Sequence, residues 1–103
     1  MAEEGKKYDQ DKSRVDLIDP DWLEDVGRVM GFGAKKYAPN NWKIVPNAIE
    51  RYEAAAFRHM SKYKQGQKID PEFGVHHLAH AACNILFLLW FENQSLNKVK
   101  NDT

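Results

Sequence analysis

The stretch from Arg58 to His80, RHMSKYKQGQKIDPEFGVHHLAH, holds every histidine of the chain together with Asp70 and Glu72. Imidazole nitrogens and carboxylate oxygens are the donors that divalent metals take, and they are also the common general acids and bases. Within HHLAH, His77 and His80 stand three apart, so a helix places them on one face, and Asn84 follows one turn later on the same side. The zincin pattern HExxH is excluded, because the glutamate is absent and the spacing is one residue short. His76 is directed elsewhere and is expected in solvent. His59, near the end of the preceding helix, is expected to face His77 and His80 across a hairpin. Asp70 and Glu72 fall in or just after the turn, where a helix N-terminus favours carboxylates by its dipole alone. Each of these groups taken singly is equally well read as a turn residue or a packed core histidine. Taken together they read as a metal or acid–base site.

Two further patterns carry chemistry. Glu50 and Glu53 form an ExxE, whose carboxylates can share a magnesium or manganese ion, although ExxE is also common on solvated helix faces. The segment GFGAKKYAPNNWK combines Gly31 and Gly33, which would free backbone amides, with Lys35 and Lys36 for phosphates and Tyr37 and Trp42 as flat faces for a base. That combination suits a nucleotide. It is not a phosphate-binding Walker loop, because the spacing differs and no strand precedes it. Its alternative is a helix-ending loop whose aromatic rings pack on the core.

Helices must position these groups. Asp19 and Pro20 mark a helix start, and Leu23, Val26 and Met30 repeat at helical spacing until Gly31 and Gly33 end it. Pro46 and Asn47 open a second helix, with Glu50 three residues after Asn47 as in a capping box. Its stripe runs Ile49, Tyr52, Ala56, His59 and Tyr63. Gly66 to Pro71 is the turn. A third helix starts at Gly74 or Val75 and runs to about Gln94. No segment reads as a strand. The organisation expected is an irregular polar lead-in over residues 1–18, one all-α domain over 19–94 and a fraying polar tail over 95–103. From Ile85 to Phe91 the third helix reads ILFLLWF, apolar on every side, which calls for burial all round. A chain of 103 residues cannot easily supply that burial alone. The expected fold is therefore a small all-α domain, a central hairpin of two long helices, assembled into a helical dimer or tetramer.

Bulk properties exclude several classes. The net charge is zero, which argues against a dedicated duplex nucleic-acid binder. Cys83, the single cysteine, lies in an apolar run and reads as a buried thiol, so neither a disulfide framework nor a cysteine zinc site is expected. The charged N-terminus has no apolar core of a signal peptide, and no apolar stretch is long enough to cross a bilayer. A soluble cytoplasmic protein without membrane partners is expected.

Three segments in order, KYDQDKSRVDLID, GFGAKKYAPNNW and RH…G…DPEFG..HLAHAACNILFLL, resemble the phage and bacterial family of the dATP/dGTP diphosphohydrolase N-terminal domain. The resemblance spans about Tyr8 to Glu92. That family is linked to the MazG-like all-α nucleoside triphosphate pyrophosphohydrolases, helical dimers or tetramers whose acidic residues hold magnesium or manganese. Those enzymes carry ExxE on one helix and ExxD on the next. This chain has Glu50 and Glu53 where the first would lie, and His77-xx-His80 where the second would be. The resemblance implies a phage-type protein working in a host cytoplasm, and hydrolysis of a purine deoxynucleoside triphosphate to monophosphate and pyrophosphate. In that reading Asp70, Glu72, His77 and His80, with His59 and Glu53, hold Mg2+ or Mn2+ and activate water. Lys35, Lys36 and Arg58 neutralise the triphosphate, Tyr37 and Trp42 hold the base, and His59 and Asn84 also line the substrate. The alternative reading is an oligomer that binds a nucleotide or nucleotide signal without cleaving it.

Overall fold

The structure is a computed structural model that describes residues 5–8 and 10–102, with the backbone alone at 99–102. The lead-in expected over 1–18 thus lies partly outside the described residues, at 1–4 and 9, as does Thr103 of the tail. Among the described residues three α-helices follow one another: α1 (Pro20–Lys36), α2 (Ala48–Lys64) and α3 (His77–Asp102). Single 3₁₀ turns at Val15–Leu17 and Asn41–Ile44 precede α1 and α2. The all-α expectation and the α2–α3 hairpin hold. The only β-type pairing among the described residues is an isolated bridge between Ile69 and His76.

Helix α1 starts as its sequence directs. The Asp19 side chain accepts from the Asp21 amide at 2.8 Å, and Pro20 occupies the first helical position. Its end is different from the one expected. Gly31 and Gly33 lie inside the helix, and the Tyr37 amide donates to the Gly33 carbonyl. A glycine within a helix costs only about 1 kcal/mol relative to alanine. Phe32, between the two glycines, stacks on Phe73 with ring centroids 4.8 Å apart, a contact that a helical backbone delivers. Lys35 and Lys36 consequently form the last helical turn, where cations suit the dipole.

Helix α2 lacks the expected capping box. Asn47 adopts a left-handed backbone (φ 54°, ψ 40°), and its side chain makes no capping hydrogen bond. A capping side chain needs the extended backbone that Asn47 does not have. The C-terminal end is closed by Gly66, whose φ of 97° allows its amide to reach Tyr63 O while Gln67 N reaches Lys62 O. These two bonds form a Schellman motif.

Helix α3 starts two or three residues later than expected and is assigned through Asp102. His76, expected in solvent, is half-buried, and its Nδ1 accepts from the Leu78 amide at 3.0 Å, capping the helix. The Asn41–Ile44 turn packs on the far half of α3. Trp42 stacks on Phe87 (4.6 Å, 15°) and meets Trp90 edge-on (5.1 Å), while the Tyr52 hydroxyl donates to the Trp42 carbonyl at 2.8 Å.

The buried positions are mostly small: Ala48, Ala56, Val75, Ala79, Ala81 and Cys83, with His77, His80 and Asn84. Many large apolar side chains remain exposed instead. The radius of gyration is 18.3 Å, against roughly 13 Å for a compact chain of about 100 residues. No helix among the described residues is long and apolar enough to cross a membrane.

Candidate functional site

The turn between α2 and α3 is tied into a fixed shape by its own backbone. Asp70 N donates to Val75 O (2.9 Å), Gly74 N to Asp70 O (2.8 Å) and His77 N to Lys68 O (2.8 Å). Gly74 takes a φ of 72°, which glycine adopts without strain. The Asp70 side chain accepts from the Phe73 amide at 3.0 Å through Oδ2. That oxygen also lies 3.4 Å from Nε2 of His80 on the first turn of α3. The two atoms are within ion-pair reach, yet Nε2 is buried without a hydrogen-bond partner. Burial lowers the His80 pKa below its ordinary value, with the Asp70 carboxylate opposing the shift. The contact is therefore between a carboxylate and a neutral ring, and a buried polar atom left in this state is costly.

His59 reaches the same corner from α2. Its ring lies nearly parallel to that of His80, 8° apart in plane and 4.4 Å between centroids. Burial, and then the neighbouring His80 and His77 rings, push the His59 pKa down to about 4. Its Nδ1 is 2.8 Å from Nδ1 of His77, whose other nitrogen, Nε2, is 2.8 Å from Oε1 of Gln67. Gln67 carried no signal in the sequence; a glutamine in a polar turn has no pattern that marks it. Asn84 donates to the His80 carbonyl at 2.8 Å and so braces that turn of α3.

The remaining candidates are dispersed. Glu72 is exposed at the rim and pairs with Lys36 at 3.4 Å, the main reason the Lys36 pKa is raised. Lys35, Arg58 and Tyr37 are exposed. Trp42 is packed on Phe87 and Trp90, and Lys43 Nζ lies 5.3 Å from its ring, so its faces are taken within the chain. Glu53 is exposed on α2, six residues before His59 and thus about 240° around the helix from it. Among the described residues no three His, Cys, Asp or Glu side chains converge as metal ligands. Both ring nitrogens of His77 are already hydrogen-bonded, which leaves the Asp70–His80 pair and Nε2 of His59. These residues do not fit a resident metal held by one chain. Surface grooves lie elsewhere, one between α1 and α3 lined by Trp22, Val26, His76 and Ala79, another by Val45, Ile49 and Phe91. Neither is lined by Asp70, His59 or His80.

A small all-α hairpin with a buried histidine–aspartate corner is the class that fold and site define. The chain belongs to the family described as dATP/dGTP diphosphohydrolase, N-terminal, which matches residues 2–102. A dATP/dGTP diphosphohydrolase of Salmonella phage PMBT28 is 40% identical over 89 residues, covering 86% of this chain. The chain spans 30% of that relative's length. No solved structure matches.

The lowered histidine pKa values link stability to pH. Both His59 and His80 bind protons more weakly folded than unfolded, where the ordinary value is 6.5. Their contribution is complete above that value and declines as pH falls from 6.5 towards about 4, the folded value for His59. The melting temperature should drop between about pH 7 and pH 5, above the range where most carboxylates titrate. A melt that is flat across that window would contradict the neutral, buried assignment.

Proposed function

We propose that this chain binds and hydrolyses a purine deoxynucleoside triphosphate, releasing diphosphate and the monophosphate. The observation that carries the reading is the buried Asp70–His80 pair, with an unpartnered ring nitrogen 3.4 Å from a carboxylate oxygen. An aligned water, which can donate to the carboxylate and pair with the ring nitrogen, would satisfy both atoms. Family membership and the phage relative supply the substrate class. Asp70 and His80 orient the attacking water, with His59 beside them, and His77 holds His59 in place. Lys36 sits at the rim on Glu72 and, with Lys35 and Arg58, offers charge to the triphosphate. Tyr37, 64% exposed with Lys36 Nζ 5.5 Å from its ring, offers its other face to the base. Mg2+ or Mn2+ enters with the triphosphate as its counter-ion. A second reading, a module that binds nucleotide without cleaving it, is favoured by one fact: no three metal ligands converge among the described residues.

Self-association belongs to the same reading. Ile85, Leu86 and Leu89 on α3 are 54%, 48% and 52% exposed. Side chains of that size left in water on one helix support a dimer or tetramer that covers them. The soluble phage-type protein of a host cytoplasm fits this picture.

Incubation with dGTP or dATP and Mg2+ or Mn2+ should release diphosphate. His80→Asn should slow the release by about 10²-fold or more while the far-UV spectrum stays helical. Full turnover in that variant would make the corner architectural. Sedimentation should give a dimer or tetramer at micromolar concentration, and Leu86→Asp should dissociate or unfold it. A stable wild-type monomer would remove the assembly from the account.

A further inference from the structure

Gln67, His77 and His59 form a hydrogen-bonded file that leads from the turn into the candidate site. Its two links are both 2.8 Å, His77 Nε2 to Gln67 Oε1 and His77 Nδ1 to His59 Nδ1. A neutral imidazole has one N–H, so each ring donates at one nitrogen and accepts at the other. The amide oxygen of Gln67 can only accept, which places the His77 proton on Nε2 and leaves its Nδ1 as an acceptor. The proton between the two rings then belongs to His59 Nδ1. His59 is left with its lone pair on Nε2. The His77 ring is 3% exposed, and no carboxylate is hydrogen-bonded to it.

We propose that His59 Nε2 is the general base that takes the proton from the attacking water, and that Gln67 and His77 are positioning residues that fix its tautomer. The proposal rests on the hydrolytic reading above. In the step, the water oxygen bonds to a phosphorus of the α–β anhydride, and the bond from that phosphorus to the bridging oxygen breaks. The leaving group keeps the electron pair, and the water proton moves to His59 Nε2. The positive charge is then shared along the file. His59 can pass its Nδ1 proton to His77 across 2.8 Å, while the Nε2–H of His77 remains on Gln67. The Asp70 carboxylate partly offsets burial and the His80 and His77 rings, which together hold the His59 pKa down at about 4. The parallel His80 ring at 4.4 Å holds the imidazole from the other helix. His59 returns to its neutral state by releasing the proton to solvent, to which it is partly open.

Histidine ¹⁵N NMR on the full 103-residue chain reads the tautomer without any substrate. Neutral His59 should carry its proton on Nδ1, with Nε2 at the unprotonated shift. A His59 protonated on Nε2 overturns the proposal whatever the chain does to nucleotides. Gln67→Lys, which offers only donors, should reverse the tautomer and lower diphosphate release from dGTP by about 10²-fold with little change in KM or in the melt. Gln67→Glu, which restores an acceptor oxygen, should recover the Nδ1–H form and most of the lost rate. Full turnover in Gln67→Lys or in His59→Gln would also overturn the base role. A wild-type chain with the Nδ1–H tautomer but no diphosphate release fails the hydrolytic reading, and the base role with it, while the tautomer assignment stands.

Discussion

The hydrogen-bonded turn from Lys68 to His77 is the constraint on which the site depends. It fixes Asp70 through three bonds, its amide on Val75, its carbonyl on Gly74 and its carboxylate on Phe73, and a fourth from His77 to Lys68 closes the turn. With the turn fixed, the start of α3 is fixed, because His76 caps that helix with its own ring. His77 and His80 then point back at α2, where His59 meets them. A carboxylate is thus held beside a neutral imidazole by backbone geometry rather than by a strong bond between the two. That arrangement leaves both groups able to interact with a third.

The two ends of the α2–α3 hairpin use different physics. Near the turn, alanines and Val75 allow the helices to approach, so that three imidazoles fit between them. Farther along, Trp42 fills the space with stacked and edge-on contacts to Phe87 and Trp90. Helix α1 packs on α3 and also stacks Phe32 on Phe73, which brings Lys36 to the rim beside Glu72. Rim charge and buried corner are therefore linked through Phe73, which packs on α1 with its ring and bonds Asp70 with its amide.

Much of this was legible in the sequence. Asp19-Pro20 and the apolar spacing after it gave the start of α1, and the HHLAH spacing put His77 and His80 on one face towards His59. What was not legible depended on contacts between distant segments. Gly31 and Gly33 read as a helix end because local propensity is all a sequence displays, and the Phe32–Phe73 stack that carries the helix onwards is long-range. Trp42 read equally as a flat face for a base or as a core ring, because its partners lie some 45 residues later on α3. Asn47 carried the residue type of a cap and the backbone of a turn. Gln67 was invisible because its role exists only once His77 is beside it.

The central claim is that the triphosphate meets the Asp70–His80–His59 corner. It is tested most directly by titrating the ¹⁵N-histidine-labelled chain with a non-hydrolysable dGTP analogue and Mg2+, following the side-chain nitrogens by NMR. Saturable shifts of His80 Nε2 and His59 Nε2 at one common affinity, larger than those of His76, are the result expected. Saturable binding that leaves both nitrogens unmoved would place the nucleotide elsewhere on the chain and contradict the account.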